Sequence, residues 1–135
     1  MIQWLSILIL SVATLPNLGF EETLNQSKAE NKPTMLVFSG SDWCRGCISF
    51  KRNVLDTEAF QTYSKTDLTY FVADFPRDKS IVSKEQLAEN ESLADQYNRK
   101  GLFPYLVLFN ADGKVIRKRG GGFDDINELK AWVEQ

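Results

Sequence analysis

The feature that most constrains this chain is a pair of cysteines two residues apart, just after a short apolar run. The run is Thr34-Met35-Leu36-Val37-Phe38. Ser39-Gly40-Ser41-Asp42 follows it, then Trp43-Cys44-Arg45-Gly46-Cys47. The run's length and β-branched content predict a buried strand, and the Ser/Gly/Asp stretch predicts a loop. Beyond it, Cys47, Phe50 and Val54 recur at helical spacing, as do Ile48 and Leu55, so a helix starts at Cys44.

That placement has a chemical consequence. At a helix start, orphan backbone N–H groups and the helix dipole favour negative charge. Both lower the pKa of a thiol at Cys44, and the thiolate is the reactive form. Cys47 lies one turn further on, close enough to attack a mixed disulfide on Cys44. The Arg45 guanidinium adds a nearby positive charge, and Gly46 leaves the turn flexible. Other uses of such a pair compete with exchange. A structural disulfide gains little from closing so short a loop. A zinc site needs more ligands than a chain without histidine and with only two cysteines supplies. A two-thiolate copper(I) site is the remaining metal option. The lack of histidine also removes Ser-His-Asp and Cys-His catalysis.

The rest of the chain alternates strands and helices. Residues 68–73 (LTYFVA) predict a second strand, 75–83 a loop with Pro76, and 84–98 a helix with Leu87, Leu93, Ala94 and Tyr97 on its apolar face. Gly101-Leu102-Phe103-Pro104 leads into a third strand over 105–109. Asn110-Ala111-Asp112-Gly113 is a hairpin signal, and 114–119 is the partner strand. Asp56 is expected to cap a helical piece containing Ala59, Phe60 and Tyr63. Asp124 is expected to cap a last helix with Ile126, Leu129, Trp132 and Val133 on one face. This order implies an α/β fold, a central mixed sheet flanked by helices on both faces. Lys114, Arg117, Lys118 and Arg119 read as a solvated edge strand or a docking face. The Gly120–Gly122 run reads as backbone geometry rather than a phosphate cradle, since no Lys-Ser/Thr follows it.

Residues 1–20 carry no charged side chain and hold an apolar run from Ile2 to Leu15. The run is short for a bilayer span and fits a signal peptide, a first element packed on the core being the second choice and an uncleaved N-terminal anchor the third. Residues 21–31 are a polar linker or helix, and the main domain is expected over 32–135. Export to the periplasm, the expected location, would keep the cysteine pair where disulfides persist. A membrane contact is expected only if the first segment stays attached. The net charge of −2 argues against nucleic-acid binding.

The run MLVFSGSDWCRGC, the later GLFP and the hairpin LVLFNADGKVIRKRGG resemble the thioredoxin superfamily, and more closely the exported thioredoxin-like proteins of bacteria. The resemblance covers roughly Lys32 to Gln135. It implies the thioredoxin fold and dithiol–disulfide exchange on protein thiols or disulfides, with a separate redox partner that recharges the pair and no cofactor. In its terms Cys44 matches the exposed nucleophile and Cys47 the buried resolving cysteine. Pro104 matches a cis-proline, although the sequence alone fits a trans turn equally well. Phe103 and Trp43 are expected to face substrate; Trp43 fits equally as a lid on the pair. Arg45 is expected to tune the thiol.

The chain also departs from that pattern. Six residues before Cys44, where thioredoxin has a buried carboxylate thought to manage the proton of the resolving thiol, stands Phe38. That role is vacant or falls to Asp42 or Asp74. Phe103 is bulky for its place, and the stretch 75–98 is longer than in thioredoxin, either a partner surface or an extra solvated helix. A thiolate stabilised by Arg45 and the helix N-terminus favours an oxidant, whereas the Asp42-Trp43-Cys44 segment resembles periplasmic reductants and favours reduction, the direction expected here. A redox-inactive docking module and a copper(I) carrier are the competing readings.

Overall fold

The computed structural model describes residues 19–135. The expected leader therefore lies outside the described residues, apart from Gly19 and Phe20. The elements run α1 (Phe20–Glu30), β1 (Thr34–Ser39), α2 (Arg45–Phe50), α3 (Glu58–Thr66), β2 (Thr69–Asp74), α4 (Lys84–Tyr97), β3 (Tyr105–Phe109), β4 (Val115–Gly120) and α5 (Ile126–Val133). The sheet order is β2-β1-β3-β4. β1 pairs parallel with β2 and antiparallel with β3, and β3 pairs antiparallel with β4.

Alternation along the strands divides the core into two layers. Met35 and Val37 of β1 and Leu106 and Leu108 of β3 face Phe50, Val54, Phe60, Leu129 and Trp132. Leu36, Phe38, Val107 and Phe109 face the opposite way, onto Phe20, Phe71 and Leu93. The sheet therefore carries α2, α3 and α5 on one face and α1 and α4 on the other, the arrangement expected from the order of elements.

Of residues 21–31, expected as a polar linker or helix, 21–30 form helix α1 together with Phe20, and this helix packs on the sheet. Phe20 is buried, with its ring edge-on to Phe71 and Phe109 at centroid distances of 5.6 and 5.3 Å. The hydroxyls of Ser27 and Thr34, both fully buried, bond to each other and lock α1 to the start of β1. Asn31 ends α1 in the left-handed region, where Asn is tolerated, and Lys32 N–H returns to the Ser27 carbonyl at 2.9 Å.

Several local expectations change. α2 runs on into a π turn over Lys51–Leu55. The wider turn lets the adjacent Val54 and Leu55 both reach the core, while Ile48 is exposed instead of buried. Asp56 does not cap α3. Thr57 does, its hydroxyl accepting from Phe60 N–H, while Asp56 pairs with Lys51 at 2.8 Å. Asp125, not Asp124, caps α5. Within the basic strand, Arg117 donates to the carbonyls of Val133 and Gln135, and the Arg119 guanidinium lies 4.2 Å from the Phe123 ring centroid. Of its four cations, Arg117 thus holds the end of the C-terminal helix and Arg119 covers the Phe123 ring that precedes it, while Lys114 and Lys118 stay exposed.

Candidate active site

β1 ends at Ser39, and the chain crosses the sheet edge through Gly40-Ser41-Asp42-Trp43 into the cysteine pair. Cys44 is the N-cap of α2, and its Sγ accepts the N–H of Cys47 at 3.2 Å. Cys44 and Cys47 form a disulfide with Cα atoms 5.2 Å apart. The second sulfur also has a backbone donor, since Gly40 N–H points at Cys47 Sγ at 3.4 Å. Each sulfur thus faces an N–H that would stabilise negative charge on it once the bond is reduced. Cys44 is 7% exposed and Cys47 3%. In this oxidised state the expected exposed nucleophile therefore shows only a small patch to solvent. Arg45 is exposed and, among the described residues, makes no ion pair.

The loop before β3 completes the site. The Phe103–Pro104 peptide bond is cis. Pro104 is buried and packs so close to Gly46 that a β-carbon there would sit 3.3 Å from the proline ring. Asn98 shapes the loop from behind, its side chain both accepting from Leu102 N–H and donating to Leu102 O. Gly121, at φ 85°, turns the end of β4 so that its N–H reaches Pro104 O at 2.8 Å. The glycine run thus serves backbone geometry, as its sequence suggested.

Aromatic rings wall the outer side. Trp43 meets Phe103 edge-on at 5.3 Å, and Phe103 meets Phe75 at 5.6 Å. The Trp43 indole N–H donates to Phe75 O at 2.7 Å. The structure therefore brings together Cys44, Cys47, Trp43, Phe103 and Pro104, and leaves Arg45 at the rim.

On the inner side lies a cavity of about 210 Å³, room for several waters. Cys47 and Pro104 open onto it, together with Val37, Ser39, Ser41 and Asp74. Asp74 accepts the N–H and the hydroxyl of Ser41 at 2.9 and 2.5 Å. Of the two carboxylates considered as replacements at Phe38, Asp74 shares the space of the buried sulfur. Asp42 does not line it. Its oxygens accept the N–H groups of Asp78 and Arg77, which hold its pKa below the ordinary carboxylate value. Ser41, legible in the sequence only as part of a loop, is a further polar member, and the β1–β2 register, which sets Ser39 opposite Asp74, brings it there. Among the described residues no group of three His, Cys, Asp or Glu side chains is gathered for a metal ion.

A family model described as a thioredoxin-like domain matches residues 20–135. The chain belongs to the thioredoxin-like family. Its match begins at Phe20, where α1 begins. The chain is 33% identical over 126 residues to a protein of Chlamydia pneumoniae named disulfide bond reductase DsbH, covering 90% of this chain and 75% of that one. A solved structure titled DsbH oxidoreductase superposes with a TM-score of 0.72 at 29% identity, over 99% of this chain and 94% of that one. Fasciola hepatica thioredoxin shares the fold with a TM-score of 0.57 at 18% identity, over 84% and 88% of the two chains.

Proposed function

We propose that this protein is a thiol–disulfide oxidoreductase that works in the reducing direction on protein disulfides. The observation that carries the proposal is the Cys44–Cys47 disulfide at the head of α2, with a backbone N–H on each sulfur. The likeness to a protein named a disulfide bond reductase supports the direction. In the reduced protein, the Cys44 thiolate attacks one sulfur of a substrate disulfide. A mixed disulfide forms with Cys44, and the other substrate sulfur leaves as a thiolate. Cys47 then loses its proton and attacks Cys44 Sγ, which releases the second substrate thiolate and leaves the disulfide of the present structure. Two electrons have passed to the substrate, and a separate dithiol donor must return them.

The proton of Cys47 leaves through the inner cavity, with Asp74 as its acceptor through water. Asp74 and Cys47 line one space, and the competing carboxylate, Asp42, is committed to backbone donors elsewhere. Trp43, Phe103 and Pro104 form the surface on which an extended substrate lies. The uncharged segment at 1–20 supports export, so that the pair works in an oxidising compartment and depends on its donor. Among the described residues no helix is long and apolar enough to cross a membrane.

Equilibration of the pair against glutathione tests this reading. A reduction potential near about −270 mV fits a reductant, whereas one near about −120 mV reverses the direction. A pair that stays oxidised across the accessible range replaces the enzyme with a docking module.

A further inference from the structure

The turn that carries the cysteines is tied to the segment after β2 by more bonds than chain geometry requires. Phe75 N–H closes the last ladder bond to Ser39 O at 2.8 Å. Pro76 has no N–H. The next two donors, Arg77 and Asp78, both go to the carboxylate of Asp42, one to each oxygen, at 2.8 and 2.9 Å. Asp42 thus takes every backbone donor of residues 76–78. The carbonyl of Phe75, at the base of this segment, accepts the indole N–H of Trp43. Trp43 in turn lies over Gly40, where a β-carbon would collide with the indole, and against Phe103. A charged oxygen with a backbone N–H is the stronger kind of hydrogen bond, and here it is doubled on one side chain.

We propose that Asp42 is a positioning residue of the dithiol site. Its carboxylate holds segment 75–78 in place, and that segment seats the Trp43 indole beside Cys44. The inference rests on the oxidoreductase reading for its kinetic part and on geometry alone for its structural part. Trp43, 37% exposed, and Phe103 border the approach to Cys44. A folded or extended protein substrate must pack on both rings to bring its disulfide to Cys44. A small disulfide reaches the sulfur without them. Asp42 therefore sets how well protein disulfides bind, with little influence on the exchange step itself. The low pKa of Asp42 keeps the carboxylate ionised, and the tie closed, throughout the neutral range.

The test uses Asp42→Ala, with Asp42→Asn as the shape-conserving second variant, in the full chain. Three readouts are taken: kcat and KM for a protein disulfide such as insulin, the rate with 5,5′-dithiobis(2-nitrobenzoate), and solvent exchange of the Trp43 indole N–H by NMR. The expected result is a rise of about tenfold in KM for the protein substrate, with kcat and the small-disulfide rate within about twofold of wild type. Indole exchange is faster in both variants. Equal losses on the two substrates overturn the proposal, because they mean that the Asp42 charge acts directly on the thiols. Unchanged indole exchange overturns it as well. Should the wild-type protein turn over neither disulfide, the oxidoreductase reading fails, and indole exchange alone still decides whether Asp42 seats Trp43.

Discussion

Gly40→Ala is the substitution whose outcome the geometry fixes most tightly. Gly40 has no positive φ, so the change carries no backbone strain, and a glycine-to-alanine change at a compatible site stabilises by about 0.4–1 kcal/mol through the unfolded chain. Space opposes it. The new β-carbon would fall within the Trp43 indole, which is held on its other sides by Phe75 O and Phe103. If the ring leaves, it loses one hydrogen bond, worth about 0.5–1.5 kcal/mol, and one edge-on aromatic contact of about 0.5–1.5 kcal/mol. If instead the backbone moves, the Gly40 N–H bond to Cys47 is lost, at a similar cost. The losses outweigh the gain, for a net destabilisation of about 0.5–2 kcal/mol. For a domain of this size that lowers Tm by roughly 2–10 °C. Calorimetry of the oxidised protein reads the shift, and the indole N–H resonance of Trp43 reports whether the ring has moved. A variant as stable as wild type, with that resonance in place, would refute the close approach of Trp43 to Gly40.

Three further outcomes are expected. Cys44→Ser should abolish disulfide reduction, while Cys47→Ser should accumulate mixed disulfides visible on non-reducing gels; full activity of Cys44→Ser would end the mechanism. Phe20→Ala, which empties the centre of a cluster with Phe71, Tyr97 and Phe109, should cost about 3–5 kcal/mol in denaturant unfolding. A loss below about 1 kcal/mol would mean that α1 is not part of the core. In acid, the segment after β2 should loosen before the sheet does. Backbone bonds lower the pKa of Asp42, and the hydroxyl and N–H of Ser80 lower that of Asp78, both from an ordinary 3.8. Their stabilisation is complete above that value and fades as pH falls through the lower folded-state values, so faster Trp43 indole exchange should begin only below about pH 4.

The sequence made the framework legible because its signals are local. Short apolar runs, the Asn110–Gly113 turn and the cysteine spacing each act within a few residues, and together they mark out the mixed sheet and the cysteine site. What escaped it depends on distant neighbours or on a single added residue. Phe20 sits at the end of an uncharged stretch that reads as a leader, and only its contacts with Phe71 and Phe109 mark it as core. The π turn leaves no trace in spacing, because Cys47, Phe50 and Val54 fit an α-helix equally well; its extra residue shows in the burial of Leu55 and the exposure of Ile48. Capping slipped by one residue at both Asp56 and Asp124, where an adjacent Thr57 or Asp125 offers an equally good acceptor.

The replacement at position 38 follows from strand parity. Phe38 points to the face of α1 and α4, where it stacks near Phe75 and Tyr105 and so underpins the aromatic wall that ends in Trp43. Ser39 and Ser41 border the space that holds Cys47. The parallel register sets Asp74 opposite Ser39, so β2 delivers a carboxylate to the cavity without taking a residue from the wall. On the proposed mechanism, proton acceptance falls to Asp74 and substrate seating to Asp42, on opposite sides of one turn. Their kinetic signatures should differ: Asp74→Asn slows resolution, so mixed disulfide builds up with KM little changed, whereas Asp42→Ala raises KM without that build-up. Ser41 and Asp42 are adjacent, and both tie the turn to residues 74–78, so the losses of stability in Ser41→Ala and Asp42→Ala should be non-additive when the two are combined. Strict additivity would mean that the two sides of the turn move independently, and the division of roles would then rest on the individual contacts rather than on the turn they share.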